Sequence, residues 1–291
     1  MHIVLKGIGL LLILAIAAYG YLVFQNNRTI APVSADKLQS TLENSILWLE
    51  ANREKVLSEN NSILWRMIQR VGEISKDQRI VDLFAEYEKR HLKNKPDNIW
   101  KLLFYPKSWV PIRFEDIASY PYYNQHFIYA LLCDKDLGEV ASIAEQNNPA
   151  FCDGHPLRPA CVTHQLMGIQ MMQNSQCGDA ENLAETVGIL QDQITNQLYY
   201  DPRVVDVTMQ RVLMLVDTGA KDRVKSAWVQ NLIDAQQEDG GWSPFEPLFA
   251  VGGGRSFGYD TLFRIKKPVS TFHMTAQGVL LFSLLANPQT P

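Results

Sequence analysis

Residues 236–242, Gln236-Gln237-Glu238-Asp239-Gly240-Gly241-Trp242, are followed by a glycine-rich stretch and then by Ser270-Thr271-Phe272-His273-Met274-Thr275-Ala276-Gln277 and an apolar run to Leu285. The pattern predicts the end of one helix, a tight polar turn, a long loop and the start of a second, buried helix. Asp239-Gly240-Gly241 cannot extend a helix cheaply, because glycine loses the most backbone freedom on ordering and readily takes positive φ. Trp242 is then free to fold back over the helix end.

The spacing Gln-x-x-x-Gly-x-Trp, met by Gln236, Gly240 and Trp242, resembles the repeat of the squalene cyclase and protein prenyltransferase superfamily. That resemblance implies an α/α toroid of paired inner and outer helices. One good copy of the motif is present, so the remainder of the chain has to be read for the same pairing.

Apolar residues at steps of three and four mark amphipathic helices. Leu38, Leu42, Ile46 and Leu49 predict an outer helix over 35–58, and Asn60-Asn61-Ser62 stops it and caps the next. Inner helices are expected over 62–75, 122–133, 161–173, 206–216 and 271–285. Outer partners are expected over 77–93, 136–146, 179–198 and 222–236. Joining the unpaired first and last helices closes a ring, so the expected fold is all-α: an α/α toroid of about five inner and five outer helices over residues 35–291. Each such repeat needs neighbours to bury its core. Residues 95–120 and 243–268 do not fit the repeat and read as long loops, of the kind that form lids or binding edges. A phosphate-binding reading of Gly252-Gly253-Gly254-Arg255-Ser256-Phe257-Gly258 is weak, with no evident strand before it and no Lys-Ser/Thr after it.

Ahead of this domain, residues 7–24 carry no charge and are long enough to match the hydrocarbon thickness of a bilayer. They predict a transmembrane anchor, with residues 1–6 cytoplasmic and 25–34 a polar spacer. Lys6 before the run places the bulk of the chain in the periplasm or outside the cell. A cleaved signal peptide is the alternative, since Ala15-Ile16-Ala17 offers small residues. The four cysteines, Cys133, Cys152, Cys161 and Cys177, all follow this segment, and an even number there permits disulfides; Cys152 with Cys161 is the preferred pair.

With 46% hydrophobic and 20% charged residues the chain can bury a full core. A net charge of −4 without a basic cluster argues against nucleic acid as a partner. The membrane, through the N-terminal helix, and a polysaccharide or envelope protein are the partners considered.

In a toroid, residues near the starts of inner helices converge on one end of the central cavity. Here they are Asn124 and His126, Thr163 and His164, Asp206 and Thr208, and His273, groups able to move protons or hold a metal. Each also suits the plain task of satisfying orphan backbone groups at a helix start.

The prenyltransferase resemblance implies a zinc site in which Asp206 and His273 match the first and third ligands, joined by His164 or His126. Thr208 stands where that family has cysteine, and the Asp-x-Asp-Asp motif of the protonating cyclases is absent. A second zinc-like spacing, Cys152-x-x-His155 with Cys161-x-x-His164, competes with a disulfide. By fold analogy with exported α/α barrels similar to alginate lyases, Tyr122, Tyr123, Asn124, His126 and His164 are candidate catalytic residues, and Trp100, Trp109 and Trp242 candidate sugar-stacking residues. A hydrolase needs two carboxylates across a cleft, and Asp206 has no evident partner beyond Asp153 or Glu246. The reading that follows is a membrane-anchored, outward-facing ligand-binding or envelope scaffold domain. A polysaccharide lyase is the first alternative and a metal-dependent enzyme the second.

Overall fold

A computed structural model describes residues 2–93, 98–106, 112–154 and 158–287, with backbone alone for residues 2–8 and 11. Ten principal helices follow in order: α1 (His2–Asn26), α2 (Ala35–Ala51), α3 (Ser62–Ser75), α4 (Gln78–Tyr87), α5 (Tyr122–Leu132), α6 (Cys161–Asn174), α7 (Ala180–Tyr200), α8 (Asp206–Asp217), α9 (Ser226–Asp234) and α10 (Phe272–Ala286). Several are started by short polar side chains that accept from the orphan amides of the first turn. Ser34 accepts from Lys37 N, Asn61 from Leu64 N, Asp77 from Arg79 N, Asp179 from Asn182 N and Thr271 from Met274 N.

Helix α10 is the centre of the domain, apolar almost all round and buried along most of its length, and it packs on α2, α3 and α8. Helix α6 packs on α5 and α7, α3 on α4, and α7 on α8. The 3-10 segment Ile99–Leu103 lies against both α3 and α5. One continuous core runs through these helices, from Trp48 and Trp65 to Trp228, Trp242 and Phe282.

The turn at the head of the motif carries out the folding role expected of it. Gly240 has φ +89°, and a Cβ there would sit 2.3 Å from the Asn44 carbonyl oxygen. Gln236 Nε2 donates to the Thr41 and Gly240 carbonyls. Trp242 Nε1 donates to the Leu232 carbonyl, and its ring lies 5.5 Å from and parallel to Phe282. Asp239 accepts from Trp48 Nε1 and Ser270 Oγ, tying α2 to the entry of α10.

Three expectations about the architecture are corrected. The chain is not all-α: residues Glu246–Gly252, Arg255–Tyr259 and Phe263–Lys266 form an antiparallel sheet in the order β1-β2-β3, where a loop was expected. Its first hairpin turns on Gly252, Gly253 and Gly254, all at positive φ, so the glycine run is a turn between strands. The regular toroid of five inner and five outer helices does not hold either. In place of a helix over 136–146 there are two single turns, Lys135–Gly138 and Ala141–Ala144, broken at Val140 in an extended conformation.

Finally, among the described residues no helix is long and apolar enough to cross a membrane, which overturns the transmembrane anchor over 7–24. The carboxyl end of α1 belongs to the domain instead. Tyr19 Oη donates to the Tyr200 carbonyl, the buried Asn26 donates to the Leu198 carbonyl, and Lys225 Nζ donates to Asn27 Oδ1.

All four cysteines are paired. Cys152–Cys161 is the bridge expected from sequence, and Cys133–Cys177 joins the end of α5 to the loop after α6. Two disulfides in one domain are the mark of an oxidising, extracellular or periplasmic compartment.

Candidate functional site

A cleft of about 300 Å³ opens where α3, α5, α6 and α10 begin. Its walls carry Asn60, Asn61, Trp100, Tyr123, Asn124, His164, Gln210, His273 and Gln277. Of the residues to which the sequence points, Trp100, Tyr123, Asn124, His164 and His273 come together at this one cavity. Gln210 and Gln277 were missed, although the signal was present. They lie four residues after Asp206 and His273, one turn along the same helix faces.

The aromatic side of the cleft is rigid. Tyr123 and His164 stack with ring centroids 4.2 Å apart and 10° between planes. Burial pushes the His164 imidazole down to about 4, helped by the charge of His273 and opposed by a hydrogen bond with the Ala160 backbone. At neutral pH it is therefore an uncharged ring with one donor and one acceptor nitrogen. On the amide side, Gln210 Oε1 lies 2.8 Å from the hydroxyl of the buried Thr163. Gln277 Nε2 donates to Asp206 Oδ1, and Gln277 Oε1 is buried without a partner among the described residues.

Other expected site residues lie elsewhere. His126 is fully buried away from the cleft, with Nε2 2.9 Å from Asn147 Oδ1 and the ring pressed on Gly168, where a Cβ would meet Nδ1 at 2.2 Å. Burial holds it down to about 4 as well. It is packed as a core histidine and is not among the residues that line the cleft. Trp242 has no face free to stack on a sugar, being wholly buried between α9 and α10. Trp109 lies outside the described residues. Glu246 stands on β1, and burial raises its carboxyl. Neither it, nor Asp153, nor Asp206 is among the residues that line the cleft; Asp206 reaches it through Gln277 and His273.

The described residues do not make a zinc site. Among the described residues no group of three or more His, Cys, Asp or Glu side chains is placed to hold a metal ion. Asp206 and His273 approach to 3.5 Å, but no third such side chain joins them among the described residues. Thr208 turns back to donate to the Arg203 carbonyl. Cys152 and Cys161 are oxidised to a disulfide, so neither is available as a thiolate ligand.

A second cavity, of about 560 Å³, lies toward the other ends of the same helices and is lined by Leu102, Leu131, Met171, Leu213, Met214 and Leu280, with Arg70 and Asp217 paired at its wall. Ile63, Met67 and Met167 line both cavities and form the partition between them. In comparisons with family models, curated proteins and solved structures, nothing matched this chain.

Proposed function

We propose that this is a ligand-binding domain of an oxidising compartment, whose cleft takes a neutral, hydroxyl-rich group such as a sugar unit of a polysaccharide. The observation that carries the reading is the composition of one wall system: Asn61, Asn124, Gln210 and Gln277 beside the aromatic faces of Trp100 and Tyr123. Amide side chains donate and accept at once and so match hydroxyl groups, while aromatic faces cover the apolar side of a sugar ring. Among the described residues the cleft is lined by no carboxylate pair for hydrolysis, and its deeply buried imidazole, His164, is uncharged at neutral pH.

Titration calorimetry of the full chain against a panel of neutral and acidic oligosaccharides tests this. Saturable binding, weakened about tenfold or more by Asn124→Ala or Trp100→Ala (roughly 1.4 kcal/mol), is the expected result. Heat that is unchanged in both variants, or no binding to any member of the panel, would overturn it.

The neighbourhood of Tyr123, Asn124 and His164 favours a second reading, a lyase that removes the proton beside a carboxylate. Under it, acidic oligosaccharides give an ultraviolet-absorbing unsaturated product, and His164→Ala abolishes that product without loss of fold.

A further inference from the structure

The three-stranded sheet has one face turned to the domain and one turned away. On the inner face Gly258 lies against the buried Phe245, where a Cβ would meet Phe245 Cζ at 2.5 Å, and the Lys266 ammonium sits 5.0 Å over the Phe245 ring. Pairing of Phe249 with Phe257, Phe257 with Ile265 and Tyr259 with Phe263 places those five residues together on the opposite face. There Phe249, Phe257 and Phe263 stack in series at 5.0 and 5.6 Å. Yet Phe249 is 59%, Phe263 65% and Ile265 54% exposed, and Leu262 at the β2–β3 turn is 65% exposed. An ordered aromatic ladder left in water is the mark of an interaction surface.

Two further features say what covers it. Within residues 246–267 the cations Arg255, Arg264, Lys266 and Lys267 face only Glu246 and Asp260 as carboxylates, on a chain whose net charge is −4. Asp260 is occupied with Lys266 and Arg264, and Arg255 and Lys267 stand exposed together at one end of the sheet, just beyond the Ser256–Lys266 pair. The ladder also continues toward α1. Phe263 meets Tyr259 edge-on, Tyr259 Oη accepts from Arg203, and Arg203 lines one surface cleft with Tyr19 and Leu22. Beyond that cleft α1 exposes Ile13, Ile16, Tyr21 and Phe24. Both apolar surfaces thus flank the Asp201–Arg203 corner.

The geometry points to the outer face of this sheet as a lipid-contacting surface, seated on the interfacial region of an anionic membrane with Arg255 and Lys267 at the headgroups. An apolar aromatic face with a pair of free cations at one end has the chemistry of an interfacial element, which lies on a bilayer and does not cross it. A second copy of the same sheet suits the face less well, since an isologous pairing would oppose its cations to one another.

The test is a reporter in the sheet itself, so that attachment to vesicles through any other surface is told apart from attachment through this face. Full-length protein with Leu262→Cys, labelled with an environment-sensitive fluorophore, is mixed with vesicles of phosphatidylcholine alone or with phosphatidylglycerol. The expected result is a several-fold rise and blue shift of emission on the anionic vesicles, reduced by added salt and lost when Phe249→Asp and Ile265→Asp are introduced into a protein of unchanged circular dichroism. Protein that sediments with anionic vesicles without a shift would overturn the proposal. So would a shift of equal size on phosphatidylcholine alone, or one that depends on protein concentration without vesicles, which would make the face a contact between copies.

Discussion

The phenol ring of Tyr123 lies flat on the imidazole of His164, 4.2 Å between centroids, so that two residues from successive helices, α5 and α6, form one wall of the cleft. The stack shields His164 from water on one side, and shielding disfavours its charged form.

The first expectation concerns that ring. An NMR titration should place the His164 imidazole near 4, and Tyr123→Ala, by admitting water, should move it up toward the ordinary value of 6.5. A midpoint unmoved by Tyr123→Ala would show that burial by Phe127 and the cleft floor, and not the stack, sets it.

The second concerns stability and pH. His126 titrates at about 4 when folded and at its ordinary 6.5 when unfolded, so between these values the unfolded chain binds the extra proton. Unfolding free energy should therefore be full at and above pH 6.5 and fall as pH drops from 6.5 to 4, by about 3 kcal/mol for this residue alone. His164 adds in the same direction. Denaturant melts across that window should show the slope, and His126→Gln should flatten it.

A third concerns close approach to the two buried rings. Gly168→Ala puts a methyl group 2.2 Å from His126 Nδ1, and Gly278→Ala puts one 2.6 Å from the Trp242 ring. Each should cost about 1–3 kcal/mol by overpacking. Gly188→Ala, on the open side of α7 with nothing within 4 Å of the new Cβ, should be neutral or slightly stabilising in the same chemical melts.

Disulfide removal supplies the fourth. Cys133–Cys177 closes a separation of 44 residues and Cys152–Cys161 one of 9. On the chain-entropy account, losing the first should cost about 4 kcal/mol and losing the second about 2.6. Cys133→Ser with Cys177→Ser should lower the denaturation midpoint more than Cys152→Ser with Cys161→Ser.

Much of the helical content was legible from the chain. The steps of three and four in 179–198 correspond to α7, and the apolar run after Thr271 to α10, because a helix that buries one face writes that face into its sequence. The Gln236–Trp242 turn was equally plain, since Gly240 is one of few residues that tolerate its backbone angle. Cys152 and Cys161 were close enough in sequence to be paired, whereas Cys133 and Cys177, 44 residues apart, gave no local sign of meeting.

What the chain could not say by itself depended on distance in space. The sheet was hidden because its strands are short, its hairpin is all glycine, and its apolar face meets no core. His126 and His164 looked alike as polar residues near helix starts; only packing decided that one is sealed under Gly168 and the other lines a cleft. Helix periodicity tells which residues share a face of one helix. Which of those faces meet, and whether a cavity is left between them, is decided by side chains from five helices closing on the same point.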